Sequence, residues 1–66
     1  MPKFRNGSRT IDAWQEASGD WLVMDMKAVE IWPEEDRIFR ERWEPADQEA
    51  VRMWAGEEER IVVPQN

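Results

Sequence analysis

The side chains able to do chemistry in this chain are nearly all carboxylates. Fifteen Asp and Glu stand against nine Lys and Arg, with no His, Cys or Tyr, in 66 residues. Without an imidazole or a thiol, most general-base and nucleophile arrangements are closed to it. Ser8 and Ser18 sit in turn-like stretches with no histidine to activate them. A carboxylate pair such as Glu34 and Asp36 would suit glycoside hydrolysis, which places an acid on each side of a sugar bond. A small domain filled with tryptophan leaves little room for that cleft, so the chain reads as not an enzyme.

The carboxylates fall in two runs, Glu34-Glu35-Asp36 and Glu57-Glu58-Glu59. Neither has the alternating ligands and central glycine of a calcium loop, so no metal site and no cofactor is read from them. Their plainest fate is a solvated surface. The alternative is an acidic face, joined by Asp20, Glu41, Glu44, Asp47 and Glu49, whose carboxylates stand in for phosphates. Duplex DNA carries one charge per about 1.7 Å of axis, so a protein competitor needs several acids on one side. The distribution of charge favours the second half: residues 1–33 sum to −1 and residues 34–66 to −5, within a net charge of −6. Such a field repels nucleic acid and lipid headgroups and attracts basic protein surfaces. On this reading Glu34, Glu35, Asp36, Glu57, Glu58 and Glu59 are the partner-binding residues, and the partner is a basic protein surface. Tryptophan is the other candidate: most of Trp14, Trp21, Trp32, Trp43 and Trp54 read as core, while one exposed among acids would be an interface anchor.

The elements that must carry these groups are organised around Gly19 to Pro33, the stretch richest in apolar residues. Trp21, Val23 and Asp25 alternate with Leu22, Met24 and Met26, and Val29 and Ile31 alternate with Glu30 and Trp32, the period of two strands. The pattern predicts strands over Asp20 to Lys27 and Val29 to Trp32, a tight turn at Lys27-Ala28, and an end at Pro33. Thr10 to Gln15 alternates as well and should pair with the Trp21 strand through a turn at residues 16–20. Glu34 to Arg42 has acids in front and bases behind, which suits a helix macrodipole. It reads as a single helical turn around Ile38-Phe39 before extended chain, or as one continuous helix. Ala46, Ala50, Met53 and Trp54 share a helical face between Pro45 and Gly56, predicting a helix from Ala46 to Ala55. Arg60 to Val63 reads as a short strand after the acidic loop.

The expected fold is therefore α+β, a single domain over residues 1–66: a small antiparallel sheet with one main amphipathic helix on a face. Trp21, Val23, Ile31, Phe39, Met53 and Trp54 are its expected core. Residues 1–9 hold Lys3, Arg5 and Arg9 and no acid, and read as a basic lead-in that is either a mobile, solvated terminus or a clasp. A chain this short buries only about 60% of its unfolded surface, so its margin of stability is thin. The absence of cysteine, of a leader-like apolar run and of a long apolar span suits a soluble, monomeric, cytoplasmic protein.

Gly19-Asp20-Trp21-Leu22-Val23, Val29, Trp32-Pro33, Ile38-Phe39 and Trp43-Glu44-Pro45 resemble the pattern of a group of small phage and prophage proteins. Ile11-Asp12-Ala13-Trp14-Gln15 is similar to the strand that opens them. The resemblance covers about Thr10 to Pro45, with a shorter link between Gln15 and Gly19 and an added Ala46 to Val63 segment. It implies a phage or mobile-element origin and action inside a bacterial host. In size, charge and lack of cysteine the chain also resembles anti-CRISPR proteins, among them the type I-C inhibitors. That resemblance implies a noncatalytic inhibitor whose acidic surface mimics DNA and blocks a cationic groove of a type I Cas complex. The competing expectation is a phage accessory module that binds another host or phage protein through an apolar patch.

Overall fold

Along the central strands alternate residues face the helices, and this alternation sorts the core. A computed structural model describes residues 1–56, and there the chain is α+β: five antiparallel strands and two short helices. The strands are β1 (Lys3–Asn6), β2 (Arg9–Gln15), β3 (Trp21–Asp25), β4 (Glu30–Glu34) and β5 (Glu44–Pro45), in the order β4-β3-β2-β1-β5. The helices are α1 (Asp36–Arg42), between β4 and β5, and α2 (Gln48–Trp54), after β5. The strand expected at Arg60 to Val63 lies outside the described residues.

Cross-strand partners share a face, so the register sorts the core. Gln15 pairs with Trp21 and Trp21 with Glu34; Ala13 pairs with Val23 and Val23 with Trp32; Ile11 pairs with Phe4. These residues point toward the helices. Phe4, Ile11, Ala13, Trp21, Val23, Phe39, Trp43 and Ala50 are buried, with Trp32, Met53 and Trp54 packed against them. The Phe39 ring of α1 stacks on Trp21 with centroids 4.1 Å apart, and Phe4 meets both rings edge-on at 5.3 and 4.9 Å. Such edge-to-face and offset pairs favour the ring quadrupoles and add to the burial itself. From α2, Trp54 closes this aromatic group against Phe4 and Phe39.

Several expectations are corrected. The amino-terminal segment is not a mobile lead-in but β1, hydrogen-bonded between β2 and β5, with Phe4 fully buried. Gly7, at φ 62°, and Ser8 make the two-residue turn that folds β1 onto β2, a position where glycine avoids the clash of a Cβ. Ile31 is not core: it is 65% exposed. With Asp25 opposite Glu30, Ile31 lies opposite Met24 and must share that residue's outward face. The turn also spans four residues, 26–29, because Val29 takes φ 55° and leaves the ladder. Pro33 does not end its strand either. β4 is an edge strand, where a residue lacking N–H is tolerated, and it continues to Glu34.

Helix α1 is a continuous seven-residue helix rather than one turn. Helix α2 begins at Gln48 instead of Ala46, since Pro45 belongs to β5 and Asp47 is the cap, its Oδ1 accepting the Ala50 N–H at 2.8 Å. Asp47 also accepts the backbone N–H of Lys3 at 3.2 Å, which ties the start of α2 to β1.

Candidate interaction surface

The carboxylates of the 34–36 run do not behave alike. Glu34, the last residue of β4, points toward the core beside Trp21 and is 8% exposed. Its Oε2 accepts from Trp32 Nε1 at 2.6 Å and from Arg42 Nη1 at 3.0 Å. Asp36, at the first turn of α1, is half-buried, and its Oδ1 accepts from Trp21 Nε1 at 2.8 Å, Arg40 Nε at 2.9 Å and Gln15 Nε2 at 3.1 Å. The Trp21 donor first, then Arg40, holds the Asp36 pKa below the ordinary carboxylate value. These two acids therefore tie α1 to the sheet, and only Glu35 of the run is exposed. Glu57, Glu58 and Glu59 lie outside the described residues.

One further ion pair organises the opposite end. Arg9 donates from Nε and Nη2 to Asp25 Oδ2 at 3.0 and 2.8 Å, and its guanidinium lies 5.6 and 5.5 Å from the Trp32 and Trp43 rings. Asp25 Oδ1 accepts the N–H groups of Lys27 and Ala28, which shapes the turn. The Arg9 hydrogen bond, followed by the Ala28 N–H, keeps the Asp25 pKa below its ordinary value. Among the described residues no group of three or more His, Cys, Asp or Glu is placed to hold a metal ion. No described helix is long and apolar enough to cross a membrane.

The surface that sequence reasoning missed is the other face of the sheet. Trp14, Leu22 and Pro33 form one cross-strand row, and Asp12, Met24 and Ile31 the next. Trp14, Leu22 and Met24 are half-buried, while Pro33 and Ile31 are exposed. Both helices pack on the opposite side, through Phe39 and Ala50 against the core. Neighbouring strands lie about 4.8 Å apart and residues two apart about 7 Å, so the rows make a continuous apolar strip across β2, β3 and β4. Toward β1 the face becomes polar: Lys3 pairs with Asp12, which raises the Lys3 pKa through their hydrogen bond, and Arg5 pairs with Glu44. Met26 and Val29, in the adjoining 26–29 turn, are also exposed, at 68% and 85%.

The signal for this face was present in the sequence. Both parities of Trp21-Leu22-Val23-Met24 are apolar, the pattern of a strand covered on two sides, yet the described helices cover only one. The remaining apolar rows form the kind of patch that marks an interaction site. Comparison with known proteins adds no relative: no family profile, curated protein or solved structure matches the chain.

Proposed function

We propose that this chain is a noncatalytic protein-binding module, which acts by covering a surface of another protein with the outer face of its sheet. The observation that carries the reading is the contiguous strip of Trp14, Leu22, Met24, Ile31 and Pro33, opposite both helices. Trp14 has the character of an interface anchor, a large ring beside a flat apolar row. The likeness to small phage proteins directs the search for the partner to bacterial defence complexes, and inhibition of a type I Cas complex is the specific activity to test. A second reading, in which the acidic surface imitates DNA, is supported by the exposed Glu16, Asp20 and Glu35. Among the described residues these three make no ion pair.

Direct binding of the chain to a purified type I surveillance complex tests both. Surface-charge attraction fades as the Debye length falls from about 10 Å at 0.1 M salt to about 3 Å at 1 M, whereas apolar contact persists. Binding that survives high salt and is lost in Ile31→Glu is the expected result. Binding lost with salt and indifferent to Ile31→Glu would replace the apolar face by charge mimicry. No binding at either salt removes the Cas complex as the partner.

A further inference from the structure

The apolar strip shares its surface with Glu16, Asp20 and Glu35, three exposed acids that make no ion pair among the described residues. Strand alternation puts even-numbered residues of β2 and β3, and odd-numbered residues of β4, on the outer face. Carried one step beyond the strand ends, the same alternation brings Glu16, Asp20 and Glu35 to that face, next to the row of Trp14, Leu22 and Pro33. The geometry there is still strand-like: the Glu16 N–H donates to the Asp20 carbonyl at 2.8 Å, and Glu35 has extended backbone at φ −66° and ψ 149°. All three are exposed. Elsewhere on this face the charges are matched, Asp12 by Lys3 and Glu44 by Arg5.

The arrangement is an apolar centre with a rim of one sign on one side. Interfaces commonly combine a dry apolar core with a polar rim, and rim charges set orientation and encounter rate. A standard interface covers roughly 800 Å² per partner, about 20–30 residues, so a partner seated on these two short rows also meets the acids beside them. We infer that the outer sheet face docks a protein segment of defined chemistry: aliphatic or aromatic side chains on Leu22, Met24 and Ile31, with Lys or Arg beside them meeting Glu16, Asp20 and Glu35. The inference rests on the proposed binding role of this face and adds the sign and position of the partner's charge. Glu35 keeps the role expected of its run, together with two acids from the first half of the chain.

A surface-displayed library of random peptides, selected on the immobilised full chain, supplies the probe. Three proteins are compared: native, Ile31→Glu, and the combined Glu16→Lys, Asp20→Lys, Glu35→Lys variant. The substituted side chains are exposed and Glu35 makes no side-chain cap bond to α1, so far-ultraviolet circular dichroism should be unchanged. Selection on the native chain should enrich peptides that combine apolar residues with Lys or Arg. Synthetic copies should bind Ile31→Glu at least tenfold more weakly. On the triple variant the preference should turn to Asp and Glu while the apolar requirement remains. Apolar peptides without basic enrichment, or basic enrichment that survives the triple variant, would overturn the inference and leave the docking face standing. Enrichment indifferent to Ile31→Glu, or no enrichment at all, would overturn both. Self-association in sedimentation, abolished by Ile31→Glu, would make a second copy the occupant and refute the basic segment.

Discussion

Phe4→Leu tests the role of the amino-terminal strand, because Phe4 is the residue through which β1 joins the core. Its ring is fully buried against the stacked rings of Trp21 and Phe39, with both contacts edge-to-face. Leucine roughly conserves the apolar volume, a kind of exchange that usually costs under about 1.5 kcal/mol. The two aromatic pairs, worth about 0.5–1.5 kcal/mol each, are lost as well. Together these give a loss of about 1–4.5 kcal/mol. Domains have roughly 0.05–0.15 kcal/mol of stability per residue, so this is a large part of what a chain of this size possesses. At about 4–8 °C per kcal/mol for a small domain, the melting temperature should fall by at least about 4 °C and by up to about 36 °C. The control is Arg5→Ala, one residue along the same strand. Its exposed pair with Glu44, at 3.7 Å, is of a kind that contributes little, so its midpoint should stay within a few degrees of native. Urea titration followed by tryptophan fluorescence should show a lower midpoint with an unchanged slope for Phe4→Leu. A Phe4→Leu midpoint equal to that of Arg5→Ala would mean that β1 is not part of the core, and the sheet order would have to be redrawn.

Two other consequences are equally direct. Val29 holds a left-handed backbone at φ 55° with its side chain 85% exposed, so Val29→Gly should relieve strain without losing burial. After the entropy cost of glycine, a gain of about 0.5–1 kcal/mol is expected, read as a melting point a few degrees higher; a fall would show that Val29 is held by contacts worth more than the strain. Asp25 titrates below its ordinary value because Arg9 and the turn N–H groups stabilise its charge. Its contribution is complete above the unfolded-state pKa of about 4 and is lost as pH falls through the lower folded-state value. Asp25→Asn should therefore be less stable than native by a constant amount near neutral pH, with the gap closing below about pH 4; a gap that widens in acid would contradict the assignment.

The two central strands were legible because their alternation is strong. The hairpin from Trp21 to Glu34 forms as expected, though through a four-residue turn at 26–29 rather than a tight one at Lys27-Ala28, and β2 pairs with β3. The errors came where local pattern competes with context. Phe4 is a lone aromatic among Lys3, Arg5 and Asn6, and nothing local says that two other strands will flank it. Glu34 and Asp36 read as members of an acidic run because sequence shows charge and not partners. Their partners, Arg42, Arg40 and the indoles of Trp32 and Trp21, are brought to them by the turn from β4 into α1. Ile31 was placed in the core for its type, although a consistent register already puts it on the Met24 face.

The placement of Ile31 also bears on how a partner could be held. Its side chain is largely exposed, and substitutions at such positions typically change stability by less than about 0.5 kcal/mol, so folding does not require an isoleucine there. A sheet offers a partner either its edge, through backbone hydrogen bonds, or its face, through side chains. β4 is a free edge among the described strands, but it is poorly suited to strand addition. Pro33 supplies no N–H, and Val29 turns out of extended conformation, which leaves only residues 30–32 between them with both an extended backbone and a donor. A three-residue ladder is too short to hold a partner by backbone pairing alone. Pro33 belongs at the same time to the apolar row of the face, opposite Leu22. Recognition is thereby directed to side chains, where Trp14, Leu22, Met24 and Ile31 set the apolar requirement and Glu16, Asp20 and Glu35 set the sign of the charge beside it.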